Sequence, residues 1–189
     1  MKNEIFDNML SRYDMTTEQH KRNAIFEVNQ QMILAGLYAG GFFESAAFYG
    51  GTCLRIFHGL QRFSEDMDFS LLAQDDKFDF TKYFPAIIDA FAMVGSEVEI
   101  KKKDKKNFGK VESAFLKDNI NVYDVTFRAE KSIKIKIKVD TCPPLNFQTE
   151  QKLLLQPYSF MSRCFTLPDL FAGQSYSRRN SLSVSLQLI

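Results

Sequence analysis

A chain of 189 residues, 45% apolar and 25% charged with a net charge of +1, has the makeup of a single ordinary globular domain and excludes a disordered tail. At this length roughly 70% of the unfolded surface leaves water on folding, so neither disulfides nor a structural metal is needed to hold a core. Cys53, Cys142 and Cys164 are odd in number and far apart, and His20 and His58 are the only imidazoles. That pattern speaks against a disulfide framework or a zinc site and fits a reducing compartment. The first residues carry polar groups every few positions, unlike a signal peptide. The longest apolar run, around residues 32–43, is broken by glycines and is shorter than the roughly 20 residues of a membrane span. The expectation is a soluble, cytoplasmic protein with no membrane partner.

In chain order, Thr16 is the expected N-cap of a first helix, with Gln19 completing a capping box. Ile25, Val28, Met32 and Ala35 then recur at helical spacing to about residue 39. Gly40 and Gly41 stop it. Residues 46–49 form a short apolar run of strand length ending on Gly50 and Gly51, after which Thr52 caps a second helix that breaks at Gly59. Over residues 62–72, Met67, Phe69 and Leu71 alternate with Asp66, Asp68 and Ser70, so one strand face is polar and carries both aspartates. A helix follows from Asp79 or Thr81 to near Gly95. Strands are then expected at residues 98–101, 121–127 and 132–140, the last two joined by a polar hairpin near Ala129 and Glu130. In the last strand Ile133, Ile135, Ile137 and Val139 face one way and Lys134, Lys136, Lys138 and Asp140 the other; Pro143 and Pro144 end it. Thr166 and Pro168 open a final helix over 165–173.

The charge is balanced only in total. The stretch 101–138, opening with Lys101 and closing with Lys138, holds twelve basic residues against five acids, while the remainder carries more acids than bases. Such asymmetry suits a polyanion such as RNA. The same run also fits a solvated edge whose lysines discourage strand pairing.

Gly50, Gly51 and Thr52 at a helix start, followed by Asp66 and Asp68 on one strand face, form the strongest chemical constellation. A glycine turn lets backbone N–H groups approach a phosphate, and the helix N-terminus favours its charge. Aspartates at i and i+2 are hard ligands for a divalent cation beside those phosphates. A third carboxylate on a neighbouring strand completes a two-metal arrangement, and Asp140, the one acid among the strand lysines, is the candidate. Each part also has an ordinary reading, as a turn, a wet strand face or a turn acid.

The segment FYGGTCLRIFHGLQRFSEDMDFSLL, residues 48–72, resembles the signature of the AbiEii/AbiGii-type nucleotidyltransferase toxins of bacterial abortive-infection and toxin–antitoxin systems. The matching positions are Gly50, Gly51, Thr52, Leu54, Arg55, Arg62, Phe63, Ser64, Glu65, Asp66, Asp68 and Phe69. Weaker similarity runs from the first helix to about Gly173 and includes KIKVD and LPDLFAG. The resemblance implies an α/β (α+β) nucleotidyltransferase fold, a small mixed sheet flanked by helices, over residues 1–173. It implies Mg²⁺ or Mn²⁺ held by Asp66, Asp68 and Asp140, and a nucleoside triphosphate held by Gly50, Gly51, Thr52, Arg62, Ser64 and Lys138. Arg62 also fits a surface turn, and Lys138 one of three exposed strand lysines. The implied reaction transfers a nucleoside monophosphate to an RNA hydroxyl, tRNA included, with release of pyrophosphate, under restraint by a separate antitoxin.

Gln174 stands where the family has a lysine, and residues 174–189 depart from the family. The resemblance therefore implies that the C-terminal helical half, with the family's catalytic lysine, is missing. The alternative reading is a catalytically inactive nucleotide-binding or antitoxin-binding module.

Overall fold

The computed structural model of the protein describes residues 4–103, 119–128, 133–143 and 146–172. The expected hairpin at Ala129 and Glu130, the tail 174–189, and Lys105, Lys106, Lys110, Lys117 and Lys131 of the basic stretch lie outside them. A short helix α1 (Glu4–Leu10) precedes the long α2 (Glu18–Ala39). Thr17, not Thr16, caps α2: its hydroxyl accepts from the His20 N–H at 3.1 Å. Asp14 has already claimed the Thr16 N–H at 2.9 Å, and the Gln19 amide turns to Asn23 at 2.7 Å, so no capping box forms.

Strand β1 (Ala46–Tyr49) runs directly into α3 (Gly50–His58), which ends at Gly59. Strand β2 is confined to Met67–Leu71. The expected extension back to residue 62 fails because side chains take the backbone groups a ladder would use. Gln30 Nε2 donates to the carbonyls of Ser64 and Glu65, at 2.9 and 3.2 Å, and the Thr52 hydroxyl donates to that of Asp66. Asp79 caps a 3₁₀ turn (Phe80–Tyr83) by accepting from the Thr81 N–H, and α4 (Phe84–Ala92) continues from it with Pro85 in its first turn. Then come β3 (Val98–Lys102), β4 (Ile120–Phe127), β5 (Lys134–Asp140), β6 (Thr149–Leu154) and β7 (Phe160–Phe165). Residues 167–172 are helical, as Thr166 and Pro168 suggest.

The seven strands among the described residues join one mixed sheet in the order β3-β4-β5-β2-β1-β7-β6. Strand β1 is antiparallel to β2 and parallel to β7, and β2 is parallel to β5. Residues directly paired across strands share a face, so Phe48, Phe69, Val139 and Cys164 point one way. The helices cover that side, through Phe57 of α3 against Phe48, Phe91 of α4 against Phe127, and Tyr38 of α2 against Phe160. Phe42, wholly buried, sits edge-on to Phe69, Phe80 and Tyr83, with ring centroids 5.0–5.4 Å apart. Such edge-to-face packing adds stabilisation beyond the area buried. Helices α2 and α4 touch closely at Gly36, where a methyl would stand 2.6 Å from the Ile87 Cα.

The opposite face carries the polar residues. One row across it reads Val122, Lys138, Asp68, Tyr49; the next reads Ile120, Asp140, Ser70, Ala47. A third row places Lys101, Asp124 and Lys136 together. The helix-covered core and the chemically loaded face are thus two sides of the same strands.

Candidate active site

Strand β1 leaves the sheet at Tyr49 and turns at once into α3, and Gly50 makes that turn with φ +81°. A Cβ on Gly50 would lie 2.6 Å from Asp68 Oδ2, and one on Gly51 would lie 3.2 Å from Ser64 Oγ. Glycine is therefore required at position 50 twice over, for backbone conformation and for the carboxylate packed against it. The first turn of α3 has neither a side-chain cap nor an acidic residue. Its N–H groups, with the positive end of the helix dipole, stand beside the Asp68 carboxylate and the Ser64 hydroxyl.

Thr52 is fully buried, and its hydroxyl donates to the carbonyl of Asp66 at 2.5 Å and of Ser64 at 3.4 Å. The hydroxyl is thus spent on holding the 64–66 segment, and what Thr52 offers a ligand is its backbone N–H. Together with Gln30, it fixes the approach of Asp66 to the sheet. Arg55 anchors the other end of the same loop. Its guanidinium pairs with Glu27 at 2.5 Å and donates to the Gln61 carbonyl at 3.1 Å, while Tyr13 donates to Glu27 at 3.0 Å.

Asp66 and Asp68 are brought together by Lys138, directly across from Asp68 on β5. Its Nζ lies 2.6 Å from Asp66 Oδ2 and 3.9 Å from Asp68 Oδ1. The ammonium satisfies both carboxylates as a cation would. Burial pushes the Asp68 carboxyl up to about 6; the Asp66 charge adds to the rise, and Lys138 and Lys136 oppose it. Tyr49 beside it has its phenol pushed up by burial and by the charges of Asp68 and Asp140.

Asp140 is on the same face as Asp68. It sits one row along the face, opposite Ser70, and accepts from Asn119 Nδ2 at 2.7 Å and from the Cys142 N–H at 2.9 Å. Among the described residues no three His, Cys, Asp or Glu side chains converge as a metal-ion group. The expected third carboxylate, Asp140, stands on the same face one row from the dyad and holds the turn that follows β5, and the dyad has Lys138 opposite. The dyad still fits Mg²⁺, which takes one or two protein carboxylates and fills its octahedron with water and substrate phosphate oxygens. Arg62 is exposed in the loop ahead of β2, and Ser64 stands beside Gly51. Gln30, Tyr49 and Glu27 escape a motif search, whereas Arg55 is one of the matched positions. The signal for Gln30 and Glu27 is a polar residue within the buried stripe of α2.

The sequence profile of a family described as the nucleotidyl transferase AbiEii toxin, type IV toxin–antitoxin system, matches residues 32–174. The chain belongs to the AbiEii nucleotidyltransferase toxin family. The match takes in the last part of α2, the glycine turn, the aspartate strand and the whole described sheet. Among solved structures the chain is similar to MenT4, a nucleotidyltransferase toxin from Mycobacterium tuberculosis, at 18% identity and TM-score 0.55, over 86% of this chain and 55% of that one. It is also similar to JHP933 from Helicobacter pylori, at 16% identity and TM-score 0.48, over 83% of this chain and 56% of that one. The AbiEii chain described here therefore spans little more than half the length of these structures. No curated protein matches the sequence. No helix among the described residues is long and apolar enough to cross a membrane.

Proposed function

We propose that this AbiEii-family chain transfers a nucleoside monophosphate from a nucleoside triphosphate to a hydroxyl of RNA, tRNA being one such acceptor, and releases pyrophosphate. The observation that supports this most is the contact of an uncapped helix N-terminus with a carboxylate pair, made through Gly50 against Asp68. An anion-binding turn and a cation-binding dyad within contact of each other are what a metal–triphosphate requires. Asp66 and Asp68 would hold Mg²⁺ or Mn²⁺, which supplies positive charge at the phosphates.

The N–H groups of Gly51 and Thr52 receive phosphate oxygens, and Ser64 lies beside them. Lys138, directly across from Asp68, would offer its charge to the phosphates, and Arg62 is exposed to reach them. The acceptor oxygen bonds to the α-phosphorus, the bond to the bridging oxygen of the β-phosphate breaks, and the hydroxyl proton is lost to water. The reaction rests on positioning and charge rather than on a protein nucleophile. Lys101, Lys134 and Lys136 share the face of Asp68 and offer the acceptor's backbone a basic approach. An antitoxin partner follows from the family rather than from any surface of this chain. Residues 1–173 form the catalytic unit of this reading.

A second reading, a nucleotide-binding or antitoxin-binding module without turnover, is favoured by Asp140, which its hydrogen bonds tie to the turn and not to the dyad. The two separate in one assay, with each α-labelled triphosphate, Mg²⁺ and total bacterial RNA. Transfer of label that Asp66→Asn and Asp68→Asn both abolish supports the transferase. Triphosphate binding with no label moved from any base rejects it and leaves the module.

A further inference from the structure

The connection between β5 and β6 follows an unusual course. Those strands run in the same direction, because β5 is parallel to β2, β2 antiparallel to β1, β1 parallel to β7 and β7 antiparallel to β6. The start of β6 therefore lies at the opposite end of the sheet from the end of β5, and ring contacts show on which face Phe147 sits. Phe147 stacks on Phe165 with centroids 4.5 Å apart and planes at 23°, and Phe165 stacks on Tyr49 at 5.1 Å and 21°. Tyr49 pairs directly with Asp68. An aromatic ladder thus leads across the chemically loaded face from the carboxylates to Phe147.

Beside Phe147 lies an open cleft of about 600 Å³, within the size range of small-molecule sites. Leu72, Pro143 and Phe147 supply apolar walls, and Gln74, Asn146 and Thr149 supply amide and hydroxyl groups. Two hydrogen bonds fix its rim. The Asp75 N–H donates to the Thr141 carbonyl at 3.1 Å, and the Cys142 N–H donates to Asp140 Oδ1. Leu72 is four residues beyond Asp68, about 13 Å of strand, a span comparable to that from an α-phosphate to the far edge of its base.

We infer that this cleft holds the base of the nucleoside triphosphate, with Phe147 as stacking platform and Gln74, Asn146 and Thr149 reading the base edge. The inference rests on the transferase reading and adds to it the place where the nucleotide is chosen. Flat walls with a few amide and hydroxyl groups suit a planar, hydrogen-bonding ring. Asp140, beside the rim, is held by two donors, and Asp76 accepts from Gln74 Nε2 at 3.2 Å, which orients that amide at the cleft wall.

The test measures binding of the four nucleoside triphosphates and of inorganic tripolyphosphate to the full chain in Mg²⁺. Phe147→Ala weakens nucleoside triphosphates about tenfold, as the loss of a base-stacking ring does. It leaves tripolyphosphate unchanged, and Phe147→Tyr restores binding. Gln74→Ala and Thr149→Val reorder the preference among the four bases. Equal loss of tripolyphosphate and nucleotide in Phe147→Ala makes Phe147 a packing residue only and overturns the assignment. So does a Phe147→Ala protein that loses an RNA oligonucleotide but no nucleotide, which gives the cleft to the acceptor. If the unaltered chain binds tripolyphosphate as tightly as every nucleotide, the cleft alone fails; if it binds neither, the triphosphate site fails and the cleft with it.

Discussion

Replacing Asp68 with Asn stabilises the metal-free protein while removing its function. The carboxyl is raised from 3.8 to about 6 chiefly by burial, and each step of one in pKa is worth 1.36 kcal/mol, so the ionised form costs the fold about 3 kcal/mol. The side chain keeps 24% of its exposure, and water reaching it trims the effect to about 2 kcal/mol. The sign follows from linkage. Because the folded pKa lies above the unfolded one, the folded chain holds the proton between about pH 3.8 and 6 when the unfolded chain has lost it, so stability falls as pH rises through that window. Asn mimics the protonated carboxyl and escapes the fall, and Asp66 retains Lys138 at 2.6 Å. In thermal unfolding at pH 7.5 without metal, Asp68→Asn therefore melts about 4–8 °C above the unaltered chain. At pH 4 the two nearly coincide. Added Mg²⁺ raises the melting temperature of the unaltered chain and not of the variant. A variant that melts lower than the parent at pH 7.5 refutes the view that the half-buried Asp68 carboxylate is held ionised at a cost.

Gly50→Ala places a methyl 2.6 Å from Asp68 Oδ2 at φ +81°; it loses about 2 kcal/mol in denaturant unfolding, and Mg²⁺-dependent nucleotide binding with it. Thr52→Val removes the hydroxyl that holds the Asp66 carbonyl and costs about 1–2 kcal/mol, whereas Thr52→Ser keeps most of the stability and the binding. Glu27→Gln leaves the Arg55 charge short of its partner in a site where the two side chains are 12% and 21% exposed; unfolding experiments should show a loss of about 3 kcal/mol. RNA affinity falls steeply with salt, and Lys134→Gln and Lys136→Gln each lower the slope of log K against log salt by about 1. A slope unchanged in both variants removes that face as the RNA approach.

Much of the site is legible in the sequence because it is local. Residues 46–58 carry their own instructions: an apolar strand, two glycines that only a tight turn and a close neighbour demand, and a short helix with its apolar face inward. The alternation around Asp66 and Asp68 announces which face they share. What sequence cannot show is which residue stands across the sheet. Lys138 reads as one of three strand lysines until the parallel register with β2 sets it opposite Asp68, and Asp140, which reads as the missing carboxylate, falls one row away. Strands β6 and β7 escape for a different reason. Thr149–Leu154 buries only Leu154 fully, and Phe160–Phe165 buries Ser162 and Cys164 while leaving Met161 exposed, so apolarity does not track burial there. The cap of α2 slips by one residue because Asp14, outside the helix, competes for the Thr16 N–H.

The central claim is that the first turn of α3 and the Asp66–Asp68 pair together form a metal–triphosphate site. Calorimetric titration of the full chain with a nucleoside triphosphate, with and without Mg²⁺, addresses it directly, on the unaltered protein and on the Asp66→Asn, Asp68→Asn double variant. The account predicts binding that requires Mg²⁺ and disappears in the double variant, while that variant still unfolds cooperatively as a folded protein. Binding of equal strength without Mg²⁺, or undiminished in the double variant, contradicts it.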